Sequence, residues 1–482
     1  MSRVVVVGAG LGGLAAAARL AAQGHDVTVV EQGAGLGGKL GTQMLRTDAG
    51  DVTFDTGPSL LTMPHVLEEL FADTGAPLDS VLALVRTTLP RARFTDGTVM
   101  DAATTAEDFS ATLDRDQRVQ WAALMQRAAR VWDVTHGPFL EAPLDGMRTL
   151  LRLALRTPRA VPLVAPTRSL RDVGRRHVRD PHLRTLVDRY ATYSGSDPRT
   201  APAALVTVPW VEQTYGAWHV RGGLHRIAQA VADRARERGA VIETGCEVLA
   251  IERDGARVSG VRLADGARIA ADIVVANADA THVYRDLVEA PGALRRLRRA
   301  HLSYSGFVLL LAVRGAIGAT AHEVLFPDDY DAELDALAAG HPVADPTVYF
   351  SAPDDEQMRT GDAHAAFVLV NAPRDGQTDW DADGLASAYA DRVLDLMAAR
   401  GIDLRDRIVA REVISPAELA RRTRAPGGAI YGTSSDGARA AFLRPANVSP
   451  VPGLFLVGGS SHPGGGLPLV LLSARIVAGL IG

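Results

Sequence analysis

Among its 482 residues the chain has one cysteine and one lysine. The lone Cys246 excludes an intrachain disulfide and any metal site built from several thiolates. It fits a reducing compartment, so a cytoplasmic location is expected. No uncharged apolar run reaches the roughly 18 residues that a bilayer-spanning helix needs. Charge of one sign is missing too. A balance of 51 Lys and Arg against 56 Asp and Glu gives a net −5, and no nucleic-acid partner is expected. Neither a His/Cys/Asp/Glu cluster nor a Ser/His/Asp triad stands out, so no metal is expected. What remains, at 47% hydrophobic and 22% charged residues, is a globular chain long enough for two or three domains.

The first 31 residues organise the rest. Val4-Val5-Val6-Val7 reads as a buried parallel strand. Gly8-Ala9-Gly10-Leu11-Gly12-Gly13 supplies G-x-G-x-x-G, and Leu14 to Gln23 reads as a helix. Asp26 to Val30 is a second strand, ending in Glu31. Gly8 permits the tight turn, Gly10 lets N–H groups approach a pyrophosphate, and Gly13 lets helix and strand pack closely. The helix N-terminus adds partial positive charge. Glu31, 18 residues beyond Gly13, stands where an acid accepts a ribose hydroxyl. A secretory leader is not expected, because its basic region would be Arg3 alone and glycines interrupt the apolar run.

Further glycine loops follow. Gly35-Leu36-Gly37-Gly38-Lys39-Leu40-Gly41 comes directly after Glu31, and Phe54-Asp55-Thr56-Gly57-Pro58-Ser59 contains a Gly-Pro turn. The glycines suit backbone lying against a ligand. Near the C-terminus, Leu454 to Val457 reads as a strand entering Gly458-Gly459. Ser460-Ser461-His462-Pro463-Gly464-Gly465-Gly466-Leu467-Pro468 then opens an apolar helix, Leu469 to Ile481.

These motifs resemble those of the carotenoid desaturase family, within the flavin amine oxidase superfamily. Members carry a Rossmann turn, a G-G-[RK] loop, an F-D-x-G-P motif and a late H-P-G-[AG]-G-[IVL]-P signature. The middle of the chain, Arg189-Tyr190-Ala191-Thr192-Tyr193 and then Trp218-His219-Val220-Arg221-Gly222-Gly223, is similar to the hydroxycarotenoid 3,4-desaturase branch. The resemblance implies FAD as cofactor, with Gly38, Lys39, Gly57 and Pro58 beside it. It also implies that the Val248 backbone contacts the adenine, and that Gly458, Gly459, Gly466, Leu467 and Pro468 lie at the isoalloxazine or ribityl portion. The implied reaction introduces C=C bonds into a long isoprenoid polyene, phytoene-type or hydroxycarotenoid. A hydride passes to the flavin and a proton is lost, with the substrate lying in an elongated apolar cavity. His462 is a candidate base, and more readily a structural hydrogen-bonding residue. Asp55 reads as a loop-ordering carboxylate. Two alternatives stay open: another flavoprotein oxidase of the superfamily, such as an amine oxidase, and a non-catalytic isoprenoid-binding protein of the same fold.

The expected fold is α/β. A Rossmann-type FAD-binding domain of the glutathione-reductase kind (1–75, 220–290, 425–482) interleaves with a mixed-sheet and helical substrate domain (76–219, 291–424). Helices are expected over Pro64 to Asp73, Thr105 to Trp132, Leu224 to Arg238 and Leu385 to Arg400. Strands are expected over Cys246 to Arg253 and Ser305 to Val313. Segment 146–189 holds 11 Arg against three Asp, and Arg148, Arg152 and Arg156 share one helical face. It reads either as a peripheral membrane-surface anchor or as a solvated helix covering the substrate domain.

Overall fold

The computed structural model describes residues 1–101, 103–144, 155, 158, 160–437 and 444–482. Strand Arg3–Val7 lies at the centre of a five-stranded sheet. Ile273–Ala276 and then Leu454–Leu456 lie to one side; Asp26–Glu31 and then Val241–Thr244 lie to the other. Every pairing is parallel. The valine run suits this position because both faces are covered: Val4 and Val6 enter one core, Val5 and Val7 the opposite one. Helix Leu11–Ala22 covers the first face, packed against His225–Glu237 and Leu467–Ile481. Its fully buried Ala15, Ala16, Ala17 and Ala18 allow close approach. A three-stranded meander, Val248–Asp254, Arg257–Leu263 and Arg268–Ala270, covers the second. From Arg3–Val7 the chain moves outward in one direction and later returns on the other side. Such a reversal of strand order leaves a crevice at the carboxyl ends of the strands, where open α/β sheets bind ligands.

The second sheet has seven strands, in the order Ile408–Ile414, Ser305–Arg314, Ala363–Ala372, Val348–Ser351, His322–Leu325, Arg91–Arg93, Val99–Met100. It is antiparallel except where His322–Leu325 runs parallel to Arg91–Arg93. Alternation along Ser305–Arg314 serves two cores. Phe307, Leu309, Leu311 and Val313 pack with Tyr389, Val393 and Met397 of helix Leu385–Ala399. Val308, Leu310 and Ala312 pack with Val52 and Phe54 of the hairpin Thr42–Thr47/Gly50–Asp55. That hairpin was not expected from the sequence. It brings the F-D-x-G-P motif against the second sheet.

The expected helix from Thr105 to Trp132 is two helices, Ala106–Thr112 and Arg115–His136. Asp114 breaks it: its side chain accepts from Gln117 N while the Gln117 side chain accepts from Asp114 N, a reciprocal cap that starts a new helix. The strand expected from Cys246 begins at Val248. Of segment 146–189, the Arg148, Arg152 and Arg156 face lies outside the described residues. Leu170, Val173, Leu183 and Val187 point inward, into the helical core. Among the described residues no helix is long and apolar enough to cross a membrane.

Candidate functional site

Four segments, distant in sequence, meet at the carboxyl ends of the central strands. Gly8, at φ +96°, turns the chain out of strand Arg3–Val7 and donates to Val30 O at 2.8 Å. A Cβ on Gly13 would run into the Gly8 carbonyl oxygen, and one on Gly12 would lie 3.1 Å from Gly458 Cα. The first and last glycine turns are therefore in contact. Gly37 N donates to Ala9 O at 2.8 Å, and a Cβ on Gly38 would lie 3.2 Å from Gly10 Cα. The second loop thus rests on the first. The third is locked beneath it, since Thr56 N donates to Gly41 O at 3.0 Å and a Gly57 Cβ would strike Lys39 O.

Glu31 ends its strand with Oε2 accepting from Ala9 N at 2.7 Å and Oε1 from Gly33 N at 2.9 Å. Gly245 N donates to Gly33 O and Cys246 N to Glu31 O. These bonds bring Val248, first residue of its strand, alongside Glu31. Asp55 accepts from Leu224 N at 2.8 Å, His225 N at 2.9 Å and the His225 ring at 3.1 Å. It orders the start of helix His225–Glu237, the structural role expected of it.

Lys39 donates from Nζ to Ile430 O at 2.7 Å and Ala429 O at 3.3 Å. Desolvation of the ammonium lowers its pKa, with Asp279 opposing. The residue as a whole is exposed, as is Gly38, while Gly8, Gly10, Glu31, Gly57 and Pro58 are half-buried. At the far end Gly458, Leu467 and Pro468 are buried, Gly459 is half-buried and Gly466 is exposed. His462 is 5% exposed, with Nε2 3.0 Å from Ala142 O. Burial lowers its pKa to about 4, so at neutral pH the ring is uncharged and donates Nε2–H to that carbonyl.

Two residues sequence reasoning passed over complete the site. Arg444, 7% exposed, donates to Tyr431 O (3.0 Å), Gly459 O (2.8 Å) and Thr433 O (2.6 Å). Burial brings its pKa down to about 10, against the pull of Asp279. Asn277 donates to Val457 O at 3.1 Å, but its buried Oδ1 has no partner. The available signal was position: Asn277-Ala278-Asp279 follows directly on a buried parallel strand, at the ligand end of the sheet.

An anionic dinucleotide fits this cradle. Helices Leu11–Ala22 and Leu467–Ile481 begin at Gly10 and Gly466 with no side-chain cap and no acid in the first turn. Their N–H groups and dipoles are left for an anion. Lys39 and Arg444 add positive charge, the half-buried and exposed glycines leave room for a ligand against main chain, and the unpartnered Asn277 Oδ1 sits among the glycines. Among the described residues no cluster of three or more His, Cys, Asp or Glu could hold a metal. Two small cavities lie among the described residues. One of about 240 Å³ lies by Arg168, Asp172 and Arg199; the other, about 30 Å³, adjoins Phe54, Asp55, Ser59 and Phe367. Neither is the elongated apolar cavity that was expected.

The family described as flavin containing amine oxidoreductase matches residues 11–482. Hydroxyneurosporene desaturase from Cereibacter sphaeroides is 34% identical, over 99% of this chain and 96% of its own. A 4,4'-diapolycopene oxygenase from Methylomonas is 34% identical, over 98% and 97%. A 1-hydroxycarotenoid 3,4-desaturase from Flavobacterium is 30% identical, over 100% and 99%. Among solved structures, putrescine oxidase superposes with TM-score 0.65 at 14% identity, over 100% of this chain and 98% of its own. Cyclohexylamine oxidase from Brevibacterium oxydans gives 0.61 at 16%, over 100% and 99%. These two support the α/β fold alone. With the family match covering nearly the whole chain and full-length relatives at 30–34% identity, the chain belongs to the flavin-containing amine oxidoreductases and is an FAD-dependent oxidoreductase.

Proposed function

We propose that this protein is a carotenoid desaturase acting on a hydroxylated carotenoid. It introduces a C=C bond into the polyene by hydride loss from one carbon and proton loss from its neighbour. The observation that carries this reading is the run of full-length relatives named for hydroxyneurosporene and 1-hydroxycarotenoid desaturation. Bound FAD supplies the two-electron, hydride-accepting chemistry. The chain's own residues bind and orient. Gly8, Gly10, Leu11, Gly12 and Gly13 present main chain and a helix N-terminus to the diphosphate, and Glu31 accepts a ribose hydroxyl. Val248 offers its backbone to the adenine. Gly38, Lys39, Gly57 and Pro58 close over one side. Gly458, Gly459, Gly466, Leu467 and Pro468 would hold the isoalloxazine or ribityl portion. We assign His462 the structural role, because its ring is engaged with Ala142 O. Residues 1–75, 220–290 and 425–482 make up the FAD-binding domain and the remainder the substrate domain. Contact with a membrane surface, through which so apolar a substrate would arrive, is part of the same proposal.

Purified holoprotein given hydroxyneurosporene, neurosporene or phytoene tests the reading. A red-shifted carotenoid spectrum and a product lighter by two hydrogens are expected with the hydroxylated substrate. The Methylomonas relative favours a second reading, oxygenation; a product heavier by oxygen would select it.

A further inference from the structure

Glu212, on helix Thr207–Tyr215, is 5% exposed, and its Oε2 has no hydrogen-bond partner. The Tyr190 and Tyr193 hydroxyls lie against the carboxyl, and the Arg189 charge is close by. The Tyr190 and Tyr193 rings lie 5.2 Å apart, tilted at 58°, and the Arg189 guanidinium sits 5.4 Å from the Tyr193 ring. Burial pushes the carboxyl up to about 7, although Tyr190, Arg189 and Tyr193 all pull it down.

The cluster does not stand alone. Tyr349, on strand Val348–Ser351, packs against the same helical core as Tyr190 and Tyr193. It also meets His322 Nδ1 at 3.0 Å, and burial keeps that ring neutral by lowering its pKa to about 3. Tyr431 N donates to Ser303 Oγ at 3.1 Å, and a Cβ on Gly195, two residues beyond Tyr193, would strike Ser303; a Cβ on Gly465 would lie 2.5 Å from the Tyr431 ring. Glu212 therefore lies behind Tyr193 in a patch of half-buried tyrosines that also holds Tyr349 and Tyr431. Tyr431 brings that patch to Gly465 in the last glycine turn.

We propose that Glu212 is the store for the proton that leaves the polyene, reached through the Tyr193 hydroxyl. The inference rests on the desaturase reading. The first C–H bond of the substrate breaks with its electron pair, which the oxidised flavin cofactor accepts as hydride. The neighbouring C–H bond then gives its pair to the new C=C and its proton to Tyr193 Oη. Tyr193 passes its own proton to the Glu212 carboxylate and ends neutral. The cation formed after hydride loss is a strong acid, so a phenol backed by a carboxylate suffices. Glu212 acts through Tyr193; it is a positioning and proton-holding residue.

The test uses flavin-loaded protein, anaerobic, mixed once with hydroxyneurosporene. Bleaching of the flavin should accelerate with pH through about 7 in the wild type. Glu212→Gln should slow it about 100-fold and abolish that pH dependence, and Tyr193→Phe should also slow it. Glu212→Asp should recover part of the rate and keep an ionisation. Independently of turnover, the flavin-free wild type should show a protonated-carboxyl infrared band titrating near neutrality, absent from Glu212→Gln. If no carotenoid bleaches the wild-type flavin, the desaturase reading fails. Wild-type bleaching matched by Glu212→Gln, in rate and pH profile, overturns the assignment of Glu212 alone. Should Glu212→Gln not fold, an Asp variant with unchanged rate and pH profile overturns it equally.

Discussion

The dinucleotide side and the proposed polyene side of this molecule are made of different materials. On the first, the working surface is main chain: glycine turns in mutual contact, two uncapped helix ends, and few side chains. On the second it is side chains, with Glu212, Tyr193 and Tyr349 brought together from three segments. Main-chain donors are common to every residue, so the constraint there is the missing Cβ. Substitution on that side fails by collision, and on the other by loss of a proton or hydrogen bond. The first failure removes the cofactor; the second leaves a folded, yellow, slow protein.

The comparison breaks most directly at Gly57. A Cβ there meets the Lys39 carbonyl, backbone against backbone, so Gly57→Ala should purify without flavin, read from the flavin-to-protein absorbance ratio. Full flavin content in that variant would end the main-chain account.

Acid probes both sides together. His462 and His322 are neutral when folded, with pKa lowered by burial from 6.5 to about 4 and about 3. The unfolded chain therefore binds their protons first. Stability is complete above about pH 6.5 and declines as pH falls through each folded value, by roughly 3 kcal/mol for His462. Chemical unfolding at a series of pH values should show this slope, flattened in His462→Gln and His322→Gln.

Glu31→Ala removes the acceptor for Ala9 N and Gly33 N and the proposed ribose partner. A charged hydrogen bond of about 1.5–3 kcal/mol corresponds to roughly 10- to 100-fold weaker FAD binding by fluorescence titration; unchanged affinity defeats the assignment. The smallest effect belongs to Lys39→Arg. The guanidinium keeps the charge and can still donate to Ala429 O and Ile430 O, so flavin affinity should change less than about threefold.

The same contrast explains what could be read from the residue order. Gly8 to Gly13, Gly57 and Gly458 were legible because one residue type satisfies a backbone that admits no Cβ. Strand Arg3–Val7 and helix Pro64–Asp73 announced themselves by composition and period. Arg444 was not legible as a clamp, since its three carbonyl partners are set by tertiary structure. Glu212 was invisible for a related reason: a glutamate on a short helix looks like any solvated acid until Tyr190, Tyr193 and Tyr349 enclose it. The hairpin at 42–55 was missed because its first strand, Thr42–Thr47, alternates between exposed and half-buried residues, and its second buries only Val52 and Phe54.

The central position of Arg3–Val7 has a consequence for how the protein is made. This strand is made long before its neighbour on one side, Ile273–Ala276, and before Leu454–Leu456 beyond that. Pairings across such separations close slowly. Until residue 276 has been made the valine run has only one of its two partners, and the sheet is complete only once Leu454–Leu456 has followed. The last glycine turn follows Leu454–Leu456, so the cofactor cradle closes after the sheet does, and chains stalled before residue 454 would leave Ile273–Ala276 as an unpaired edge for chaperones.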